Sequence, residues 1–142
     1  MEFRINNPFI SDFEFEGILL PVDFVETTNV VNGVTCDVYK FTGDDSKDLG
    51  IIRIDPGHKT PLQKVLGGVK TIEGYVSGSG KLTITKSNGR VETHTVTDKP
   101  DEYLSVPVEI GDTMQWEASP NSRLVAYEVC IPPYQDGRYQ NL

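Results

Sequence analysis

No stretch of this 142-residue sequence sustains an apolar period of 3.6 residues, so a fold built on long amphipathic helices is excluded. Basic charge is scarce. Thirteen Lys and Arg face twenty-one Asp and Glu, a net charge of −8. Nucleic acid and anionic membrane are therefore not expected as main partners, since both require a basic face. No run of about 18 apolar residues is present, so no membrane-spanning helix is expected. The acidic N-terminus, MEFRINNPFISDFEFEG, lacks the apolar stretch of about 7–15 residues found in a signal peptide, and a cytoplasmic protein is expected. Cysteine is limited to Cys36 and Cys130, both within apolar, strand-like segments, which read as two buried reduced thiols. There is no Gly-x-x-x-x-Gly-Lys-Ser/Thr loop, no Gly-x-Ser-x-Gly and no Cys-x-x-Cys.

What the sequence does have is turns. Thirteen Gly and nine Pro separate short apolar runs, and the length suits one domain. Asn32-Gly33 lies between the β-branched runs Thr27–Val31 and Val34–Phe41, and Asn88-Gly89 lies between 80–86 and 91–96. Asn-Gly in this setting predicts a hairpin, because both residues accept the positive φ of a type I′ turn. The run 42–48 reads as a polar connection. Ile51–Ile54 is a strand ended by Asp55-Pro56-Gly57, and 69–77 is another ended by Gly78-Ser79-Gly80. Tyr103–Ile110 contains Pro107 and so belongs at a sheet edge. Roughly ten strands with turn signals every eight to twelve residues predict an all-β sandwich or barrel. Residues 1–25, with their Phe-Glu-Phe-Glu alternation, read as an N-terminal arm packing on the barrel or a partner; 26–142 read as a single barrel with a C-terminal tail. The strand 123–131 is apolar on both faces, which predicts cover by a second sheet or subunit.

The order Pro56-Gly57, strand, Gly78-Ser79-Gly80, hairpin, Gly111-Asp112, strand resembles a small single-domain cupin of the RmlC-like jelly-roll superfamily, over about residues 50–131. The resemblance implies a cupin-type double-stranded β-helix with the N-terminal strand arm outside it. In that family three histidines and a glutamate hold a divalent metal inside the barrel. Laid on this chain, Gln63 and Val65 take the places of the first two histidines, Thr71 that of the glutamate and Ser122 that of the third histidine. Glu73 stands one inward step beyond Thr71 on the same strand. One carboxylate among neutral oxygens is a poor site for a borderline metal, so neither a metal nor another cofactor is expected. His58 and His94, the two histidines of the chain, read as loop and cross-strand residues.

Three readings remain open. In the first, the barrel binds a small polar ligand, a carbohydrate or carboxylic acid, through Gln63, Thr71, Tyr75, Trp116, Ser122, Arg123 and Tyr127. In the second, the chain is a metal-independent sugar isomerase or epimerase. There Glu73, desolvated by Tyr75 and Trp116, is the general acid or base, and Arg53 pairs with it or holds an anionic group. Metal-independent enzymes of the resembled family use a histidine with an acidic partner, which is not visible in this sequence. In the third, the barrel is a structural or assembly scaffold. The arm and the tail Ile131–Leu142, with Tyr134, Tyr139 and Leu142 to bury, make a homodimer the expected state.

Overall fold

The structure, a computed structural model, describes residues 9–98 and 103–142. Their strands are β1 (Asp12–Phe15), β2 (Ile18–Val31), β3 (Val34–Phe41), β4 (Asp44–Ile54), β5 (Gln63–Val65), β6 (Lys70–Gly78), β7 (Gly80–Thr85), β8 (Val91–Val96), β9 (Ser105–Val108), β10 (Thr113–Ala118), β11 (Leu124–Ile131) and β12 (Tyr139–Asn141). They form a seven-stranded sheet, β1-β2-β3-β4-β11-β6-β9, facing a five-stranded sheet, β12-β5-β10-β7-β8. Every pairing between these strands is antiparallel. Among the described residues no helix is long and apolar enough to cross a membrane.

Both Asn-Gly pairs turn hairpins, β2 into β3 and β7 into β8. Gly33 sits at φ 80°, the left-handed region where a side chain on Cβ is strained. Pro107 lies in β9, the outermost strand, where its missing N–H removes no ladder bond to a further strand. The chain passes from one sheet to the other at Gly78, where a Cβ would lie 1.8 Å from the Arg123 carbonyl oxygen. Only glycine fits that crossing.

The 42–48 segment differs from its expected reading as a polar connection. The turn is shorter, with Gly43 at φ 74°, and β4 already starts at Asp44. The polar run is an irregularity between the pairs Lys40↔Asp48 and Phe41↔Asp44. Asp44 holds it with hydrogen bonds from the Ser46 amide and hydroxyl and the Lys47 ammonium.

Two cores flank the large sheet. Between the sheets lie Val34, Ile52, Ile54, Tyr75, Leu82, Ile84, Met114, Trp116, Leu124 and Ala126. On the outer face Tyr39, Leu49, Ile72, Tyr127 and Val129 pack with Phe15 and Val22, with Phe9, Phe13 and Leu20 against them. The β1–β2 hairpin thus supplies the cover that the two-sided apolar pattern of β11 demanded. Phe13 meets the Tyr127 ring edge-on at 4.9 Å. The same hairpin continues without a break into the sheet, since β2 runs to Val31. Phe13→Ala should lower stability by about 2 kcal/mol through lost burial and the lost ring contact. A urea titration followed by Trp116 fluorescence reads this as a lower midpoint at unchanged slope.

Candidate functional site

A cavity of about 360 Å³ opens between the sheets, at the low end of the size range of small-molecule sites. Its apolar wall is Val34, Val38 and Ile52, and its polar groups include Asp48, Gln63, Glu128 and Tyr139, with Cys36 and Cys130. A slightly larger hollow of about 420 Å³, beside Lys81 and Glu117, carries only an exposed ion pair at 3.8 Å and no buried titratable group. The chemistry is concentrated in the first.

Glu128 is the central group of that wall. It lies on the inner face of β11, between Ala126 and Cys130, directly opposite Gly50 of β4 and Glu73 of β6. The Tyr139 hydroxyl donates to Glu128 Oε1 at 2.6 Å, and the Cys130 thiol donates to the same oxygen at 3.2 Å. Burial, then the Glu128 charge, push the Tyr139 phenol far above its ordinary range, so it stays a donor. Burial likewise pushes the Cys36 thiol up to about 12 and the Cys130 thiol further, with Glu128 the next cause for both. They are therefore poor nucleophiles at neutral pH. They are also apart: Cys36 is opposite Ile52 on one side of β4 and Cys130 is opposite Asp48 on the other, and both are free.

Glu73 sits behind Glu128 and does not line the cavity. Only 1% of it is exposed. The Trp116 indole N–H, reaching from the facing sheet, donates to Glu73 Oε1 at 2.8 Å. Oε2 receives no such donor. Desolvation first, then the Glu128 charge and a hydrogen bond to Glu128, hold Glu73 well above the carboxylate range. In the neutral acid, Glu73 is the donor of the hydrogen bond to Glu128.

The other nominated residues are dispersed. Gln63 alone among the proposed ligand-binding residues lines the cavity, and its amide donates to Asn141 Oδ1 at 3.0 Å. Arg53 lies on the opposite face of β4 from Ile52 and pairs with buried Asp37 at 2.8 Å, so strand alternation keeps it from Glu73. Thr71 accepts a hydrogen bond from Arg138 Nη2 at 2.9 Å. Tyr75 and Trp116 are core residues, with the Tyr75 hydroxyl 2.8 Å from the Gly78 and Thr97 carbonyl oxygens. Ser122 and exposed Arg123 are at the turn before β11, where the Ser122 hydroxyl donates to the Arg123 carbonyl. Tyr127 is on the outer face and donates to Ser105 Oγ at 2.9 Å. His58 packs its ring over Gly33, and His94 is in β8 near Glu92.

The residues that sequence reasoning missed are Glu128, Tyr139, Asp48 and Arg138. A glutamate in an otherwise apolar strand, Leu124-Val125-Ala126-Tyr127-Glu128-Val129-Cys130, was the available signal. Arg138 is 5% exposed and donates to the carbonyls of Pro132 and Lys70 at 2.9 and 2.8 Å. It thereby pins the tail and places Tyr139.

The metal that the resembled family binds does not fit these residues. Val65 is buried in the core, the Thr71 hydroxyl is engaged by a guanidinium, Gln63 offers a neutral amide and Ser122 lies at a distant turn. Among the described residues no three His, Cys, Asp or Glu side chains converge on a common point.

No protein-family model matches the chain, and no curated protein matches it in sequence. Solved structures do match in shape. The Rru_A2000 protein of Rhodospirillum rubrum, a cupin-2 domain, superposes with a TM-score of 0.62 at 15% identity, over 98% of this chain and 84% of that one. The capsular polysaccharide assembling protein CapF of Staphylococcus aureus gives 0.62 at 16% identity, over 86% of this chain. The chain spans only 34% of CapF. The polyketide cyclase RemF of Streptomyces resistomycificus gives 0.57 at 14% identity, over 100% of this chain and 86% of that one. Likeness at these identities establishes the fold, a cupin-type jelly roll, as the motif order implied.

The raised Glu73 value fixes a pH dependence. Unfolded, the carboxyl titrates near 4.5; folded, it holds its proton to a higher pH. Across that interval the native state binds more protons, so stability is full below about 4.5 and falls as pH rises toward the folded value, by at most about 1.4 kcal/mol per pH unit. Glu73→Gln is neutral throughout and removes this slope. Urea titrations at a series of pH values should show the variant gaining on the wild type as pH rises; a constant difference would mean that Glu73 is not held neutral.

Proposed function

We propose that the chain binds a small, neutral, hydroxyl-bearing molecule in the cavity between its sheets, without a metal, a sugar being the reference chemistry. One observation carries this reading: a cavity of ligand size with an apolar wall on one side and Glu128, Tyr139 and Gln63 on the other. Such a wall suits a molecule with an apolar face and polar edges. The carboxylic acid half of the earlier expectation loses its support. Asp48 and Glu128 line the cavity, and among the described residues no Lys or Arg does. Arg53 is paired with Asp37 on the far face, and the Arg138 fork is engaged by backbone carbonyls. An anion entering there would meet like charge with no partner.

The folds of CapF and RemF serve different roles, so the fold does not choose among ligands. A thermal-shift screen does. Neutral sugars and polyols should include a ligand that raises Tm by about 6–10 °C at a hundred times its Kd, while matched carboxylic acids give no shift. Val38→Trp, which fills the cavity from its apolar wall, should abolish the shift and keep the fold. A ligand whose shift survives Val38→Trp binds elsewhere, and no shift with any neutral compound leaves the barrel a scaffold.

A further inference from the structure

The two sheets end in β1, β9, β12 and β8, and each of these strands is guarded as exposed edges usually are, by charge, proline or shortness. β1 carries Asp12 and Glu14, β9 carries Pro107, β12 has three residues, and β8 carries Glu92 and His94. The strand without such protection is β2. β1 pairs with it only over residues 18–21, and the Val22 amide donates to the Ser11 carbonyl. Among the described residues no strand takes the same edge of β2 beyond that point, over residues 23–31. At about 3.3 Å per residue this open edge is roughly 30 Å long. Its second half, Thr27-Thr28-Asn29-Val30-Val31, is uncharged in a chain of net charge −8, and Val30 and Val31 are exposed. The register shifts of β2 against β3 fall at Phe24/Glu26 and Asn29/Val31, so the backbone of 26–29 between them is regular.

We infer that two copies of the chain join edge to edge along β2, antiparallel about a two-fold axis at Thr28. A second copy fits this edge because a self-pairing strand must meet its own reverse without setting charge on like charge. Directly opposite residues of an antiparallel pair share a face, so the axis passes between one residue and its own copy, and Thr27 and Thr28 are the central positions. With the axis at Thr27, the two Glu26 side chains would be offset by two residues, about 7 Å along the strands. With the axis at Thr28 the offset doubles to roughly 13 Å, beyond the screening length of about 10 Å at 0.1 M salt. Thr27 then faces Asn29, and the contact runs through neutral side chains. Two strongly acidic chains can meet there without repulsion at the seam.

An edge of this length on a sheet about 10 Å thick covers only about 300 Å² per copy, against roughly 800 Å² for a standard interface. The remainder is at hand beside the cavity. Thr28, Asn29 and Val30 border it together with Pro61 and Tyr134. Tyr134 is 51% exposed, and Leu62, next to Pro61, is 39% exposed. Apolar surface thus continues from β2 across the cavity lip to the loop before β5 and to the tail. A second copy seated on β2 rests on that lip and extends the wall to which Thr28, Asn29 and Val30 already belong.

The test is sedimentation velocity of the full chain over a concentration series, beside amide hydrogen exchange. Wild-type protein should move from the monomer to the dimer mass as concentration rises. Thr28 is exposed, so Thr28→Lys and Thr28→Glu should keep the native circular dichroism spectrum. Each sets like charge at the axis and should raise the dimer dissociation constant about tenfold or more. An equimolar mixture of the two variants should recover the dimer as a heterodimer, which no folding defect can produce. Val91→Lys, at an exposed position of β8, should leave the wild-type constant within about twofold. Amides of residues 23–31 should exchange faster in Thr28→Lys than in the wild-type dimer. A chain that stays monomeric up to about 1 mM overturns the inference. So does a dimer that withstands both Thr28 variants, a mixture of them that stays monomeric, or a dimer broken by Val91→Lys instead. All of these outcomes are read without a ligand, so failure here leaves the binding reading intact.

Discussion

A carboxyl group at 1% exposure, with a single indole N–H for a donor, cannot be carried as an anion without a large desolvation cost, and the site follows from how Glu73 avoids it. The proton that neutralises it is held toward Glu128, and Glu128 in turn needs the Tyr139 and Cys130 donors. The resulting path, Trp116 to Glu73 to Glu128 to Tyr139, starts in the five-stranded sheet, crosses to two neighbouring strands of the seven-stranded sheet, and returns. A polar chain of this kind does more than fill space. It sets the distance between the sheets at two points, since neither donor can retreat without orphaning a buried oxygen.

The C-terminal tail completes that chain, and it is held by a different device. Arg138 turns its guanidinium inward to the carbonyls of Pro132, Lys70 and Ile131 and to the Thr71 hydroxyl, while its own carbonyl accepts from the Leu66 and Gly67 amides. The next residue is Tyr139. With Arg138 anchored, β12 pairs with β5, and the phenol is delivered to Glu128 from a strand only three residues long. Removing Arg138 would leave several buried carbonyls without donors, so the anchor and the site are one construction.

How much of this could be read from the residues differs by level. Turns were legible because their chemistry is local: Asn32-Gly33 and Asn88-Gly89 demand positive φ, and Pro107 cannot sit between two strands. The all-β class and the cupin-like order follow from such punctuation. The cavity wall was not legible, and β11 shows why. Period-two alternation assigns faces only when one face is polar, and here the β1–β2 hairpin buries the outer face with Phe13 and Phe15. Glu128 was thus on a strand whose two faces looked alike. Arg53 illustrates the converse: it was placed near Glu73 by sequence proximity of strands, whereas β11 lies between β4 and β6 in the sheet.

The position of Glu73 also explains how a barrel of this fold can bury a carboxyl group. In the resembled family a dication offsets the inward glutamate. Here the corresponding position is Thr71, tied to Arg138, and the carboxyl appears two residues along, at the next inward step of β6. With no cation among the groups that shift it, the charge is offset by a proton, and the carboxyl opposite becomes the acceptor. The cavity wall is thus built around two carboxyl groups on neighbouring strands, one buried and held neutral by desolvation, the other fixed by Tyr139 and Cys130.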